Sequence, residues 1–268
     1  ARAWWPDGMP TPYRVSVGFP GDGSARKRIG EAWLASASDG GVAEVFISPT
    51  IADPDEVAAM PEEPVRQWVY WEPDLRGGDD KVLCRIEKFI EVSDGFNRLN
   101  DGMAGMVSQL LGERAVLFKE KINYKQPGGD GFKPHQDSQA GWERYAKFFV
   151  SVLVSIDRAT EENGCLEIAS GYNKDGLLHR EWEPMTEDEI AEMNMIPVPT
   201  EPGDVIFFDS YAPHGSKPNL SDRQRRILYF TYNRASEGDH RDIYYAHKFE
   251  SYPPDIARKA DREYVFRV

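Results

Sequence analysis

Histidine, aspartate and a second, distant histidine are the residue types in this chain that most plainly carry chemistry. The segment GGDGFKPHQDSQ holds His135 and Asp137. Two residues apart on an extended backbone, their side chains leave the same face and can reach one ion. The pair alone says little, because chance supplies such pairs in an acidic chain: His179/Glu181 and His240/Asp242 have the same spacing. Context separates them. His179 lies in the polar stretch LHREWEP with no strand after it, and His240 lies in EGDHRDIYY with only His247 downstream. His135 instead follows a glycine-rich loop and precedes the most apolar strand in the chain. It is answered by His214 in PGDVIFFDSYAPHGS, at the end of a strand that Pro202-Gly203 introduces.

Two neutral imidazoles and one carboxylate occupy one face of an octahedral ion and leave three adjacent positions open, a set suited to Fe(II) and O2 chemistry. Zinc, which more often takes three histidines or cysteines, is the minority reading. A 2-oxo acid such as 2-oxoglutarate can chelate such an iron through its carboxylate and keto oxygens and leave one position for dioxygen. Its distal carboxylate then needs a fixed cation, and a planar guanidinium binds it bidentately. Arg225, in HGSKPNLSDRQRRILYF, is placed for this on the strand that returns beside the metal. Alternation sends Arg226 to the opposite face.

These groups need a rigid β-scaffold. AVLFKEKINY (115–124), AKFFVSVLVSID (146–157), GCLEIAS (164–170), GDVIFFD (203–209) and RRILYFTYN (225–233) are short β-rich runs punctuated by Gly, Pro, Asn and Asp. Many short strands without long alternating helices indicate a double-sheet jelly roll, cupin-like and mainly β with flanking helices. Upstream, VRQWVYW (65–71) and VLCRIEKF (82–89) read as strands, and 96–112 reads as a helix stopped at Gly112. IADPDEVAAM (51–60) reads as a capped helical turn. Residues 1–60 read as an irregular extension broken by Pro and Gly, apart from a short helical run near Glu31–Ser36. We expect one oxygenase domain over 1–268, with the catalytic jelly-roll core at 82–235. Along 115–125, alternation puts Lys119, Lys121, Asn123 and Lys125 on one face. Lys121, with Arg85 on a neighbouring strand, is the expected contact for an anionic group on a small polar substrate.

With 45 acidic against 32 basic side chains, net charge −13, the chain repels nucleic acid and anionic membranes, so neither is an expected partner. Cys84 and Cys165 are too few for a disulfide framework and read as buried thiols in a reducing compartment. No apolar run approaches the roughly 18 residues that span a bilayer, and ARAWWPDGMPTPYR lacks a signal-peptide pattern. A cytoplasmic protein, monomer or homodimer, acting on a small molecule is the expectation.

In this order and spacing the residues resemble the phytanoyl-CoA dioxygenase family of Fe(II)/2-oxoglutarate oxygenases, over roughly 82–235. The family's His-x-Asp is His135-Gln136-Asp137, its distal histidine His214, its co-substrate arginine Arg225, and its Asn-Gly-x-Leu element Asn163-Gly164-Cys165-Leu166. KINYKQPG (121–128) is similar to a strand of the ectoine hydroxylases, which assigns Asn123 to the co-substrate; Trp142 matches an aromatic wall residue beside it. Gly171-Tyr172-Asn173 departs from the family's Gly-Ser-His. The resemblance implies that 2-oxoglutarate is decarboxylated to succinate and CO2 while O2 oxidises an unactivated C–H. Family halogenases lack the metal carboxylate; Asp137 is present, so hydroxylation is implied. Two rival readings remain, a jelly-roll metal-binding or sensor protein without turnover, and a cupin-like isomerase or hydrolase that would not need Arg225.

Overall fold

The computed structural model describes residues 68–264, apart from 78–79, 93, 170, 173–174 and the side chains of 92–95, together with the backbone of four short strands nearer the N-terminus. Those four are β1 (Val15–Ser16), β2 (Arg26–Ile29), β3 (Ala32–Ala35) and β4 (Val45–Ile47). The rest of the chain adds β5 (Val69–Pro73), β6 (Lys81–Glu87), α1 (Asp94–Leu111), β7 (Ala115–Lys125), β8 (Phe132–His135), β9 (Phe149–Ser155) and β10 (Leu166–Ile168). After these come α2 (Glu187–Ala191), β11 (Ile196–Val198), β12 (Asp204–Asp209), β13 (His214–Ser216), β14 (Arg225–Arg234) and α3 (Arg241–Ser251).

β9 and β12 are buried at every position, which is why FVSVLVS and DVIFFD are nearly continuous in apolar or small residues: both lie inside a sheet covered on its two faces. That sheet has seven strands in the order β1-β12-β9-β14-β7-β6-β5, and a second sheet has the order β11-β10-β13-β8. The pairing is antiparallel throughout, the mark of a jelly roll. Helix α1 packs against β7 and β14, burying Phe96, Leu99, Met103 and Val107 against Ile122, Phe230 and Tyr232. It ends where Gly112 takes φ +72°, a left-handed turn a side chain would oppose.

The helical run expected near Glu31–Ser36 is instead strand β3, in a β2-β3-β4 meander, so residues 1–60 are not wholly irregular. Arg26 lies opposite Ala35 and Ile29 opposite Ala32 in that pairing; the partner strand, not local helical spacing, decides the conformation. The turn expected at 51–60 lies outside the described residues. Among the described residues no helix is long and apolar enough to cross a membrane.

Three register shifts interrupt the described ladders, one between β13 and β8 at His214/Ser216 and two in the larger sheet. Between β14 and β7 the register shifts at Thr231/Tyr232, where Thr231 opposes Lys119 and Tyr232 opposes Leu117. Between β5 and β6 it shifts at Tyr70/Trp71, where Tyr70 opposes Arg85 and Trp71 opposes Leu83. Each of these two bulges leaves one residue unopposed and bends the strand locally, and each lies immediately beside a cation discussed below.

Candidate functional site

His135 closes β8 and His214 opens β13, and the two are register partners in the smaller sheet. Their rings stand 4.5 Å apart, centroid to centroid. Gln136 is extended (φ −100°, ψ 134°), so the chain enters a short 3-10 turn at Asp137 with His135 and Asp137 side chains converging. One ligand atom from each of His135, Asp137 and His214 lies within 4.8 Å of the others, all three residues buried. The Asp137 Oδ1 atom is 4.0 Å from His135 Nε2 and 3.9 Å from His214 Nε2.

The surroundings fix the roles of these atoms. His135 Nδ1 lies 2.7 Å from the Lys133 carbonyl and His214 Nδ1 lies 2.9 Å from the Ala212 carbonyl. A carbonyl only accepts, so each Nδ1 carries the proton and each Nε2 presents its lone pair. Ser151 donates to Asp137 Oδ2 at 2.9 Å, leaving Oδ1 toward the imidazoles. Burial and the neighbouring His214 push the His135 imidazole down to about 3, and burial lowers His214 as well. Burial alone would raise Asp137, but His214, Lys119 and Lys121 outweigh it and hold the carboxyl down at about 2. Two neutral imidazoles and one carboxylate in one dry pocket are the protonation states a divalent ion requires, and the donor set fits Fe(II).

The loop carrying the pair is tied down by glutamines that spacing alone did not mark. Gln136 donates to the carbonyls of Gly176 (2.8 Å) and Tyr211 (2.7 Å) and accepts from Leu178 N–H (2.7 Å). Gln139 accepts from Gln136 N–H and donates to Glu183 O. Such outer bonds hold ligands in one orientation.

A cavity of about 700 Å³ opens from this point. Its floor is the inner face of the larger sheet, where Lys119, Lys121 and Asn123 of β7 stand opposite Thr231, Tyr229 and Ile227 of β14. The alternation read from the sequence is therefore the alternation observed, although these lysines are buried or half-buried rather than solvated. Asn123 lines the cavity, and its Oδ1 is buried with no hydrogen-bond partner.

Arg225 is 2% exposed and opposes Lys125 in the ladder. It donates from Nη2 to the Gly164 carbonyl at 2.6 Å, while its Nε is buried without a partner. It is not part of the cavity lining and lies two pleat repeats from Tyr229 on β14. The Asn163–Leu166 element is the turn that receives it: Asn163 Oδ1 accepts from Thr160 N–H, Asn163 Nδ2 donates to Arg158 O, and Gly164 (φ +75°) passes so close that a Cβ would strike the Lys217 carbonyl. Lys125 donates to Ser216 Oγ at 2.7 Å and to the Lys217 carbonyl; burial and Arg225 push its ammonium down to about 6. Arg226 faces away and forms an ion pair with Asp157 at 2.7 Å, as alternation requires.

The other expected residues fall elsewhere along the cavity or outside it. Trp142 lines the cavity, but it lies under Lys119 Nζ (4.2 Å to the ring centre) and packs on Phe118 and Phe149, with no recorded contact to Arg225 or Asn123. Arg85 opposes Asn123 and forms an ion pair with Glu87 at 2.8 Å. His179 bonds Glu189 and Glu183, and His240 lies 2.6 Å from the Glu237 carbonyl, both apart from the triad. Sequence reasoning missed the contribution of α3 and the segment after it: Tyr244, His247, Lys248 and Tyr252 line the cavity although they follow residue 235. It also missed Trp182, which takes φ +65° at the cavity mouth with Arg144 5.6 Å from its ring centre.

A model of the phytanoyl-CoA dioxygenase family matches residues 51–227. A 2-aminoethylphosphonate dioxygenase from the uncultured bacterium HF130_AEPn_1 is 42% identical over 207 residues, covering 76% of this chain and 79% of the relative. A methylphosphonate hydroxylase from Gimesia maris is 46% identical over 144 residues, 53% of this chain and 55% of the relative. Among solved structures, EctD from S. alaskensis with 2-oxoglutarate and 5-hydroxyectoine superposes with a TM-score of 0.57 at 19% identity, covering 87% of both chains, and shares the jelly-roll fold. The chain belongs to the phytanoyl-CoA dioxygenase family and is a non-haem oxygenase dependent on Fe(II), 2-oxoglutarate and O2.

Proposed function

We propose that this enzyme hydroxylates an unactivated C–H of a small, polar, anionic metabolite, with succinate and CO2 as co-products. In this reading His135, Asp137 and His214 hold the iron, Arg225 and Asn123 hold 2-oxoglutarate, and Lys121 and Arg85 meet the anionic end of the substrate. The observation that carries it is the convergence of three buried donor atoms, within 4.8 Å of one another, on a cavity whose floor is lined by lysines in a chain of net charge −13. Iron, when bound, supplies the activation of O2 that couples co-substrate decarboxylation to C–H oxidation. The chain's own residues do the rest. The two Nδ1–H groups fix the imidazoles, Ser151 fixes the carboxylate, and the cavity walls exclude water. The two relatives named for phosphonates favour a phosphonate or a similar small anion over an acyl-CoA.

Replacing His135 or His214 by alanine should abolish Fe(II)-dependent succinate formation from 2-oxoglutarate while the fold is kept, whereas His179→Ala and His240→Ala should be nearly silent. Wild-type turnover in either of the first two variants sinks the ligand assignment. Succinate formation should be stimulated by small anionic metabolites; stimulation by acyl-CoAs alone sinks the substrate class.

A further inference from the structure

Four cations lie along the cavity between Asn123, which Arg85 opposes, and Trp142, which Lys119 overlies. Arg85 on β6, Lys119 and Lys121 on β7, and Lys248 on α3 all line it. Only one carboxylate is spent among them apart from Asp137: Glu87, 1% exposed, takes Lys248 Nζ on both oxygens (2.7 and 2.6 Å) and Arg85 Nε at 2.8 Å. Lys119 and Lys121 are left without an acceptor among the described residues. Each stands instead over an aromatic ring, Lys119 over Trp142 at 4.2 Å and Lys121 over Tyr229 at 5.0 Å. Lys119 is only 8% exposed and lines the cavity. Ring faces attract a cation but leave its N–H groups undirected. Burying like charges together is unfavourable unless something of opposite sign joins them.

The balance of this group is informative. Glu87 is shared by Arg85 and Lys248, and Asp137 belongs to the metal set, so Lys119 and Lys121 are the two cations that no carboxylate hydrogen-bonds among the described residues. A carboxylate would neutralise one of them and offers two oxygens in a plane. A doubly charged tetrahedral head offers three oxygens pointing in different directions, matching donors that arrive from two neighbouring strands and a helix.

We infer that Arg85, Lys119, Lys121 and Lys248 form one subsite for a dianionic, tetrahedral oxyanion head, and that this subsite selects phosphonate-type substrates over carboxylates of the same skeleton. The inference rests on the hydroxylase reading above and adds Lys119 and Lys248 to it as specificity-determining residues. Glu87 keeps Arg85 and Lys248 together at the rim without using up Lys119 or Lys121.

The test is anaerobic titration of the Fe(II)- and 2-oxoglutarate-loaded enzyme with three ligands that share one aminoethyl skeleton: 2-aminoethylphosphonate, the singly charged tetrahedral sulfonate taurine, and the carboxylate β-alanine. The phosphonate should bind at least about tenfold more tightly than β-alanine, as expected for one or more added charge-assisted hydrogen bonds, with taurine between them. In Lys119→Met and Lys248→Met that preference should collapse, the phosphonate losing far more affinity than β-alanine. The wild-type comparison stands without any variant: equal or better binding of β-alanine, or failure of the phosphonate to bind, overturns the subsite, as does a preference unchanged in both variants. Aerobic succinate assays separate the two readings. Turnover stimulated by other small anions would leave the hydroxylase standing while the dianion subsite falls; no stimulation by any small anion would remove both.

Discussion

Arg225 gives Nη2 to the Gly164 carbonyl and keeps a buried Nε with no partner, in a pocket shared with Lys125. An unpaired donor buried at that depth costs free energy until an anion completes it. Losing a bidentate charge-assisted pair there costs about 2–4 kcal/mol, so Arg225→Ala should raise the apparent 2-oxoglutarate requirement well over tenfold with iron affinity little changed. An unchanged requirement would move the role elsewhere on the strand. At this scale the sequence was most legible, because a ligand's chemistry is written in its residue type: the convergence of His135, Asp137 and His214 could be read from identity and order. Lys248 could not. Its place depends on α3 folding back on β7, and no local pattern in RDIYYAHKFES announces which strand a helix will meet. Trp142, placed by resemblance beside the co-substrate, lines the cavity and packs on Phe118 and Phe149 under Lys119.

Elements decide where those residues point. The long β-runs were legible because period two and continuous burial leave a strong trace, as in AVLFKEKINY and GDVIFFD. Of the three-residue strands, β10 was legible within GCLEIAS, whereas β11 and β13 leave little trace, and β13 is set by pairing with β8 and β10 rather than by propensity. The two bulges were invisible for the same reason, yet they adjoin Lys119 and Arg85 and set the angle at which both enter the cavity. The tight turn at Gly164 is a third such device. A side chain there would force an unfavourable left-handed backbone, costing roughly 1–2 kcal/mol, and would collide with the Lys217 carbonyl and the Lys125 side chain. Gly164→Ala should therefore lower the melting temperature by several degrees and raise the 2-oxoglutarate requirement several-fold through displaced Arg225, with Fe(II) binding preserved. A variant that loses stability but keeps its wild-type 2-oxoglutarate requirement would show that the turn does not position the arginine.

At the scale of the whole molecule, an acidic chain gathers four cations along one cavity and braces two of them, Arg85 and Lys248, with Glu87. Burial alone would raise that carboxyl; Lys248 and Arg85 outweigh it and hold it down at about 2 instead of 4.5. A depressed carboxyl stabilises the fold above the unfolded value and loses that contribution as pH falls through the folded one. The stability difference between wild type and Glu87→Gln should thus be full above pH 4.5 and shrink toward pH 2, as thermal unfolding at a series of pH values would record; a difference independent of pH in that window would refute the ion-pair account. One more consequence follows from β7. In the proposed reading the co-substrate meets Asn123 and the substrate head meets Lys119 and Lys121, so β7, rising about 3.4 Å per residue, carries a contact to each. Such a strand is a ruler that does not stretch. With the co-substrate moored at one mark and the substrate head at another, the carbon that meets the oxidant is fixed by its distance from the head. On that reading, lengthening the substrate would leave the site of oxidation unchanged when counted from the charged end, and regiochemistry would follow backbone geometry.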